Sequence, residues 1–223
     1  MTTLPVTHWC FHLTTTETTW RGGDYDARAI VRGLKQEAFK GELRVQIKKK
    51  PHTYTSANID EFLNIILRLI GKELTSDAPS PISIVPIPNS GMAVGEKGDF
   101  RIVKLAEIIA AGFGAGASVD PILRWNAVRQ KSHKTKEFRH PAVYEPLLRV
   151  SGKPHHPVVL FDDVVTSGAQ MTAAATVLRK KGFEVIRGLA IARAVSVQQP
   201  NPFLHKHTFD LEIDPVPFDI GSL

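Results

Sequence analysis

The stretch VVLFDDVVTSGAQMTAAATVLRKKG, residues 158–182, ends an apolar run with two adjacent acids, Asp162 and Asp163, and then turns sharply into a helical pattern. Neighbouring carboxylates repel one another and resist desolvation, so a fold gains no stability from placing them at the end of a buried strand. The turn that follows, Thr166, Ser167, Gly168 and Ala169, is made of small residues whose backbone N–H groups can approach a ligand closely. It opens a helix, and a helix N-terminus favours anions. Two hydroxyls add donors, and the segment reads as a phosphate cradle. The carboxylates just upstream are placed to accept hydrogen bonds from vicinal hydroxyls. A ribose 5-phosphate would satisfy both halves. The plainer alternative is a helix capped by Thr166 or Ser167 with a solvent-facing acid pair, and the stretch alone leaves both open.

The elements that would position these residues alternate along the chain. Residues 6–13 read as a strand. A helical spacing runs from Asp24 through Ala27, Ile30, Val31 and Leu34 to Ala38, with Gly41 ending it. Residues 58–74 form a stronger helix with an apolar stripe from Ile59 to Ile70, and Asn58 with Glu61 resembles a capping box. Strand-like runs follow at 82–88, 117–125, 157–161 and 183–192, with helices over 100–113 and 169–181. Such alternation predicts an α/β fold with a mainly parallel sheet flanked by helices. Ligands of these sheets sit beyond the carboxyl ends of the strands. Two suspicious loops, 88–99 and 162–169, leave strands at that edge. The proline-rich tail beyond residue 193 reads as an extended wrap or edge strand.

Further candidates surround that edge. Pro88, Asn89, Ser90 and Gly91 offer backbone donors with little bulk, after a Pro86/Pro88 entry that fixes φ. Arg124 and the loop after it, with Arg129, Lys131, Lys134, Lys136 and Arg139, form a set able to act as a cationic lid, since a closing cation stabilises a charged leaving group most in the transition state. Lys97 and Arg101 are weaker candidates of the same kind. His8, Cys10 and His12 alternate and on a regular strand would share a face as three candidate ligands; zinc requires at least three in good geometry, and His205 or His207 could join them, ordinary packing being the alternative. His155 and His156 read as solvent-facing.

Residues 158–170 resemble the phosphoribosyl pyrophosphate (PRPP) signature of type I phosphoribosyltransferases: an apolar strand, two acids, two apolar residues, then Thr-Ser-Gly. Residues 85–91 (VPIPNSG), 25–35 (YDARAIVRGLK) and the basic stretch 124–141 are similar to segments of the ComF-like (competence-protein) group within that family. The four-cysteine zinc module with which that group begins has no counterpart, Cys10 being the only cysteine. The resemblance implies one phosphoribosyltransferase-like domain over 1–223, with a core at about 25–192 and a small hood from residues 1–24 and 193–223. It implies Mg²⁺-dependent transfer of ribose 5-phosphate from PRPP to a nitrogen acceptor of nucleobase type, with pyrophosphate released. Asp162 and Asp163 would be catalytic and hold the ribose. Val164, Val165, Thr166, Ser167, Gly168 and Ala169 would bind the 5-phosphate. Pro88 to Gly91 would bind pyrophosphate through a strained, often cis, peptide near 88–90. The lid would be Arg129, Lys131 and Lys134, and Mg²⁺ would be held mainly through PRPP. Two other readings stay open: a PRPP- or nucleotide-sensing protein without turnover, and a DNA-associated accessory protein of the ComF kind.

Composition narrows the setting. A hydrophobic fraction of 43% with 22% charged residues is that of a globular chain able to bury a sizeable core. The net charge of +6 suits either a pocket for a polyanionic small molecule or a nucleic-acid surface, and the basic segments lack the interleaved aromatics of a stacking platform. No internal disulfide is available. The first residues lack the cationic and apolar regions of a signal peptide, and no run is long enough to span a membrane. These features predict a cytoplasmic protein with PRPP and a small acceptor as partners, nucleic acid as a lesser option, and room for a homodimer.

Overall fold

The computed structural model describes residues 2–128 and 140–213. Its centre is a mainly parallel sheet flanked by helices. The strands are β1 (Thr2–His8), β2 (Cys10–Leu13), β5 (Ile82–Pro86), β6 (Ala117–Val119), β9 (Val158–Val165), β10 (Val185–Val195) and β11 (His207–Ile213). They lie in the order β11-β1-β10-β9-β5-β6, with β2 continuing the line of β1 along β10. All pairings are parallel except that of β11 with β1. Two short antiparallel ribbons stand outside it: β3 (Leu43–Ile47) with β4 (Lys50–Tyr54), and β7 (Leu123–Trp125) with β8 (Leu148–Val150).

Alternating side chains send each central strand's apolar residues to opposite faces. Ile82, Ile84, Val159, Phe161, Leu189 and Ile191 join the core built with α1 (Gly22–Leu34), α2 (Ile59–Leu74) and α3 (Arg101–Phe113). Val85, Val158, Leu160, Val185 and Ala190 join the second core, built with Tyr144 of the one-turn α4 (Pro141–Tyr144) and with α5 (Ala169–Lys180). The crossover from β5 to β6 runs through α3 and that from β9 to β10 through α5, so the two connections leave on opposite faces. The sheet's topological switch therefore falls between β5 and β9, where ligand crevices of open α/β sheets form.

Several local expectations change. The strand expected at 6–13 begins earlier, at Thr2, and with the edge strand expected in the tail it extends the main sheet: β1 pairs with both β10 and β11. The 117–125 run splits in two at Asp120 and Pro121, where a residue without an N–H interrupts pairing. Asn58 does not cap α2; its Oδ1 accepts from the Thr55 N–H and hydroxyl. The alternation of His8, Cys10 and His12 breaks at Trp9, which packs with Cys10 in one core. His8 turns instead to Phe11, His207 and Phe209. No group of three or more metal-binding side chains gathers among the described residues. His155, expected to face only solvent, brings its Nδ1 within 2.7 Å of Asp120 Oδ1. No described helix is long and apolar enough to cross a membrane.

The tightest helix contact is the crossing of α2 and α3. A Cβ on Gly71 would overlap the Ile109 carbonyl oxygen, and one on Gly112 would overlap that of Arg68. Gly71→Ala is therefore expected to lower the unfolding free energy by roughly 1–3 kcal/mol, the usual cost of overpacking. Urea denaturation reads this directly; an unchanged midpoint would contradict so close a crossing.

Candidate functional site

β9 outruns its neighbour. Its last pairing with β5 is Phe161 opposite Pro86, and the Ile87 N–H closes the ladder on the Phe161 carbonyl at 2.7 Å. Beyond this point β10 still flanks β9, while β5 turns away. Asp162 and Asp163 are the first residues past that fork. A cavity of about 480 Å³ opens there.

Around it stand Asp162 to Met171 from β9 and the turn into α5, Pro88, Asn89 and Ser90 from the loop after β5, and Lys35, Gln36 and Glu37 from the end of α1. Arg101, Ile102 and Leu105 of α3 and the rings of Trp125 and Tyr144 complete it.

Both acids are half-buried, and each accepts its successor's N–H: Asp163 N to Asp162 Oδ1 at 2.9 Å, and Val164 N to Asp163 Oδ1 at 2.7 Å. Burial raises the Asp162 carboxyl well above the usual carboxylate range, and the charge of Asp163 raises it further. Burial also raises Asp163, against the opposing charge of Lys35. Lys35 thus acts on both acids from across the cleft.

The turn is built for close approach. Gly168 has φ of +81° and its Cα lies against Leu211 of β11, whose side chain any Cβ there would overlap. The Gly168 carbonyl accepts from the Thr172 N–H at 2.8 Å, which starts α5, and Thr166 is exposed at the cavity wall.

The loop after β5 is pinned from behind. The buried Trp125 indole donates to the Pro88 carbonyl at 2.9 Å, and its backbone N–H donates to Met92 O. The Asn89 side-chain oxygen accepts from the Gly91 N–H at 3.1 Å, so that donor is used internally, and Gly91 does not line the cavity. Among the described residues the cis peptide is Ser80–Pro81, so the often-cis peptide expected near 88–90 is not seen there, and none of those residues has a positive φ.

The cations divide. Arg124 does not reach the cavity: its Nη1 donates to the carbonyls of Pro121 and Leu123, and its guanidinium lies over Phe100. Lys97 is exposed and also lies off the cavity. Arg101 lines it but is anchored, donating to Leu34 O at 2.5 Å and to Gly33 O at 2.6 Å, with Asp60 at 3.3 Å. Arg129, Lys131, Lys134, Lys136 and Arg139 lie outside the described residues. Sequence reasoning missed Gln36, Glu37, Trp125 and Tyr144 as cavity residues. None of them carried a signal: Gln36 and Glu37 fell inside a helix expected to run on to Gly41, which the structure ends at Leu34, and nothing in the residue types of Trp125 or Tyr144 singled them out.

As a metal site the cavity offers the two adjacent carboxylates of Asp162 and Asp163, with Glu37 elsewhere on its lining. That suits Mg²⁺, which commonly takes one or two protein carboxylates and fills its other positions with water and substrate phosphate oxygens.

No protein-family model matches the chain, and no curated protein sequence does. Among solved structures it is similar to hypoxanthine phosphoribosyltransferase from Staphylococcus aureus, with 13% identity, 63% of this chain and 71% of that chain covered, and a TM-score of 0.36. It is similar also to orotate phosphoribosyltransferase from Aeropyrum pernix, with 18% identity, coverage of 74% and 93%, and a TM-score of 0.37. Adenine phosphoribosyltransferase from Saccharomyces cerevisiae overlaps at 12% identity, with coverage of 74% and 89% and a TM-score of 0.38. Overlaps this loose leave the chemistry to be argued from the cavity itself.

The raised acid pair has a consequence for stability. Because the folded state holds protons more tightly than the unfolded chain, stability falls as pH rises above the ordinary carboxylate range and keeps falling until the raised pKa is passed. Asp162→Asn removes the penalty. At pH 8 the variant should melt roughly 2–4 °C above the parent, and near pH 4 the two should coincide. A variant less stable at pH 8 would contradict the assigned burial.

Proposed function

We propose that the cleft binds PRPP with Mg²⁺ and transfers its ribose 5-phosphate to a nitrogen acceptor of nucleobase type, releasing pyrophosphate. One observation carries this reading: the acid pair and the Gly168 turn are consecutive on one strand end and face a single cavity beside the loop 88–90. A sugar phosphate is the ligand class that needs carboxylates and an anion cradle this close together. The 5-phosphate would take the backbone donors and hydroxyls of residues 165–169, at the start of α5. Asp162 and Asp163 would accept hydrogen bonds from the ribose 2′- and 3′-hydroxyls.

In the reaction the C1–O bond to pyrophosphate breaks, a C1–N bond forms, and the acceptor nitrogen gives up its proton to solvent. Positive charge builds at C1, and the ionised acids stabilise it in a site half-withdrawn from water. Pro88, Asn89 and Ser90, held by Trp125, would meet the pyrophosphate, and Arg129, Lys131 and Lys134 are proposed as cations for the same group on their sequence alone. Mg²⁺, when bound beside Asp162 and Asp163, would neutralise charge on the pyrophosphate. The positive charge of Lys35 favours the ionised form of both acids.

The ComF-like affinity is proposed on the sequences of residues 25–35, 85–91 and 124–141, and a cytoplasmic setting on the single cysteine, Cys10, whose thiol is buried and free.

Isothermal calorimetry with PRPP, with and without Mg²⁺, tests the reading. Binding should require Mg²⁺ and weaken by at least about a hundredfold when Asp162 and Asp163 are both changed to Asn, since buried charge-assisted hydrogen bonds contribute roughly 1.5–3 kcal/mol each. PRPP that fails to bind the parent protein, or binds the double variant equally well, overturns it.

A further inference from the structure

α1 ends in an unusual way. The Glu37 N–H donates to Arg32 O at 2.8 Å and the Gln36 N–H to Gly33 O at 3.0 Å, the two-bond pattern of a Schellman cap. The residue at the left-handed position of such a cap is ordinarily glycine. Here it is Gln36, with φ of +55°. An L-residue in that region costs free energy that glycine would not, and such costs persist where the surroundings over-determine the backbone. They do so here: Arg101 holds the carbonyls of Gly33 and Leu34 from the first turn of α3. Spatially fixed in this way, the strained residue lines the cavity, is exposed to it, and makes no side-chain hydrogen bond among the described residues.

A glycine would end α1 with less strain and contribute no side chain. A glutamine at the same place sets a carboxamide, one donor group beside one acceptor, at the mouth of the cleft next to Lys35, which faces the acid pair. Glu37 adds a second acceptor at the same rim. We propose that Gln36 is the residue that reads the acceptor, pairing its carboxamide with a planar nitrogen heterocycle whose edge carries a donor beside an acceptor. This rests on the ribose-phosphate reading of the cleft, because the heterocycle must lie at C1 of a sugar held by Asp162 and Asp163.

Base recognition is separable from sugar-phosphate recognition by comparing ligands that differ only in the base. Calorimetry is run with ribose 5-phosphate and with the 5′-monophosphates of inosine, uridine and adenosine, on the parent protein and on Gln36→Gly. In the parent, at least one nucleotide should bind roughly tenfold more tightly than ribose 5-phosphate, the increment of one or two good hydrogen bonds. In Gln36→Gly that ratio should fall to about one, with ribose 5-phosphate still bound and the melting temperature equal or higher, since glycine relieves the backbone.

An unchanged ratio overturns the inference, as does a parent that binds no nucleotide more tightly than ribose 5-phosphate. A variant that melts lower and loses affinity for every ligand alike shows Gln36 to be a structural cap and also overturns it. If the parent binds neither ribose 5-phosphate nor PRPP, the underlying reading fails, and this inference with it.

Discussion

The structure turns on the fork where β5 leaves β9. A parallel sheet satisfies its backbone by pairing every central strand on both sides, and for most of its length β9 is paired by β5 and β10. At Phe161 the pairing on one side stops while the strand continues. The residues beyond are fixed in an extended conformation by β10 yet open on their other flank. Rigid backbone with a free edge is what a binding site requires, and Asp162 and Asp163 occupy it. Their burial raises both carboxyls, a cost that the backbone N–H bonds they accept offset only in part. Lys35, on a different element, offsets part of it.

The cleft is correspondingly held by anchors outside it. α1 is tied at its start by the buried Asp24, which accepts from the Arg21 N–H and guanidinium and from Gln198. The Arg21 pairing holds the Asp24 carboxyl below the usual range, so this anchor is charged at neutral pH. Arg101 ties the other end of α1 through its last carbonyls, and Trp125 ties the loop after β5 through Pro88. Each anchor joins segments distant in sequence, so Lys35 and Gln36 stand where the acids need them only when α1, α3 and the sheet have docked. The site is therefore a product of tertiary packing, although its most diagnostic residues are contiguous.

That contrast explains what the sequence revealed. The acid pair and its turn were legible because strand, carboxylates, small residues and helix follow one another without interruption, and each is a local signal. The parallel sheet was legible from the alternation of apolar strands and amphipathic helices. The β3–β4 ribbon escaped notice because its turn uses Lys48 and Lys49 at positive φ where glycine or asparagine would have announced it. The part played by residues 2–13 and 207–213 in the main sheet was hidden for another reason: which strands become neighbours is decided by long-range pairing. Arg124 and Arg101 looked alike as basic residues near loops, yet one is bound up in its own turn and the other clamps a helix end. Side-chain charge in a sequence does not say which backbone carbonyl will claim it.

The central claim is that the end of β9 and the start of α5 form one sugar-phosphate site. The most direct measurement is a ¹H–¹⁵N correlation spectrum recorded during titration with ribose 5-phosphate. The account predicts saturable shifts concentrated in the amides of residues 162–170, with lesser ones at 35–37, and little change on the far side of the sheet. Shifts confined to other surfaces, or none at ligand concentrations in the millimolar range, would contradict it.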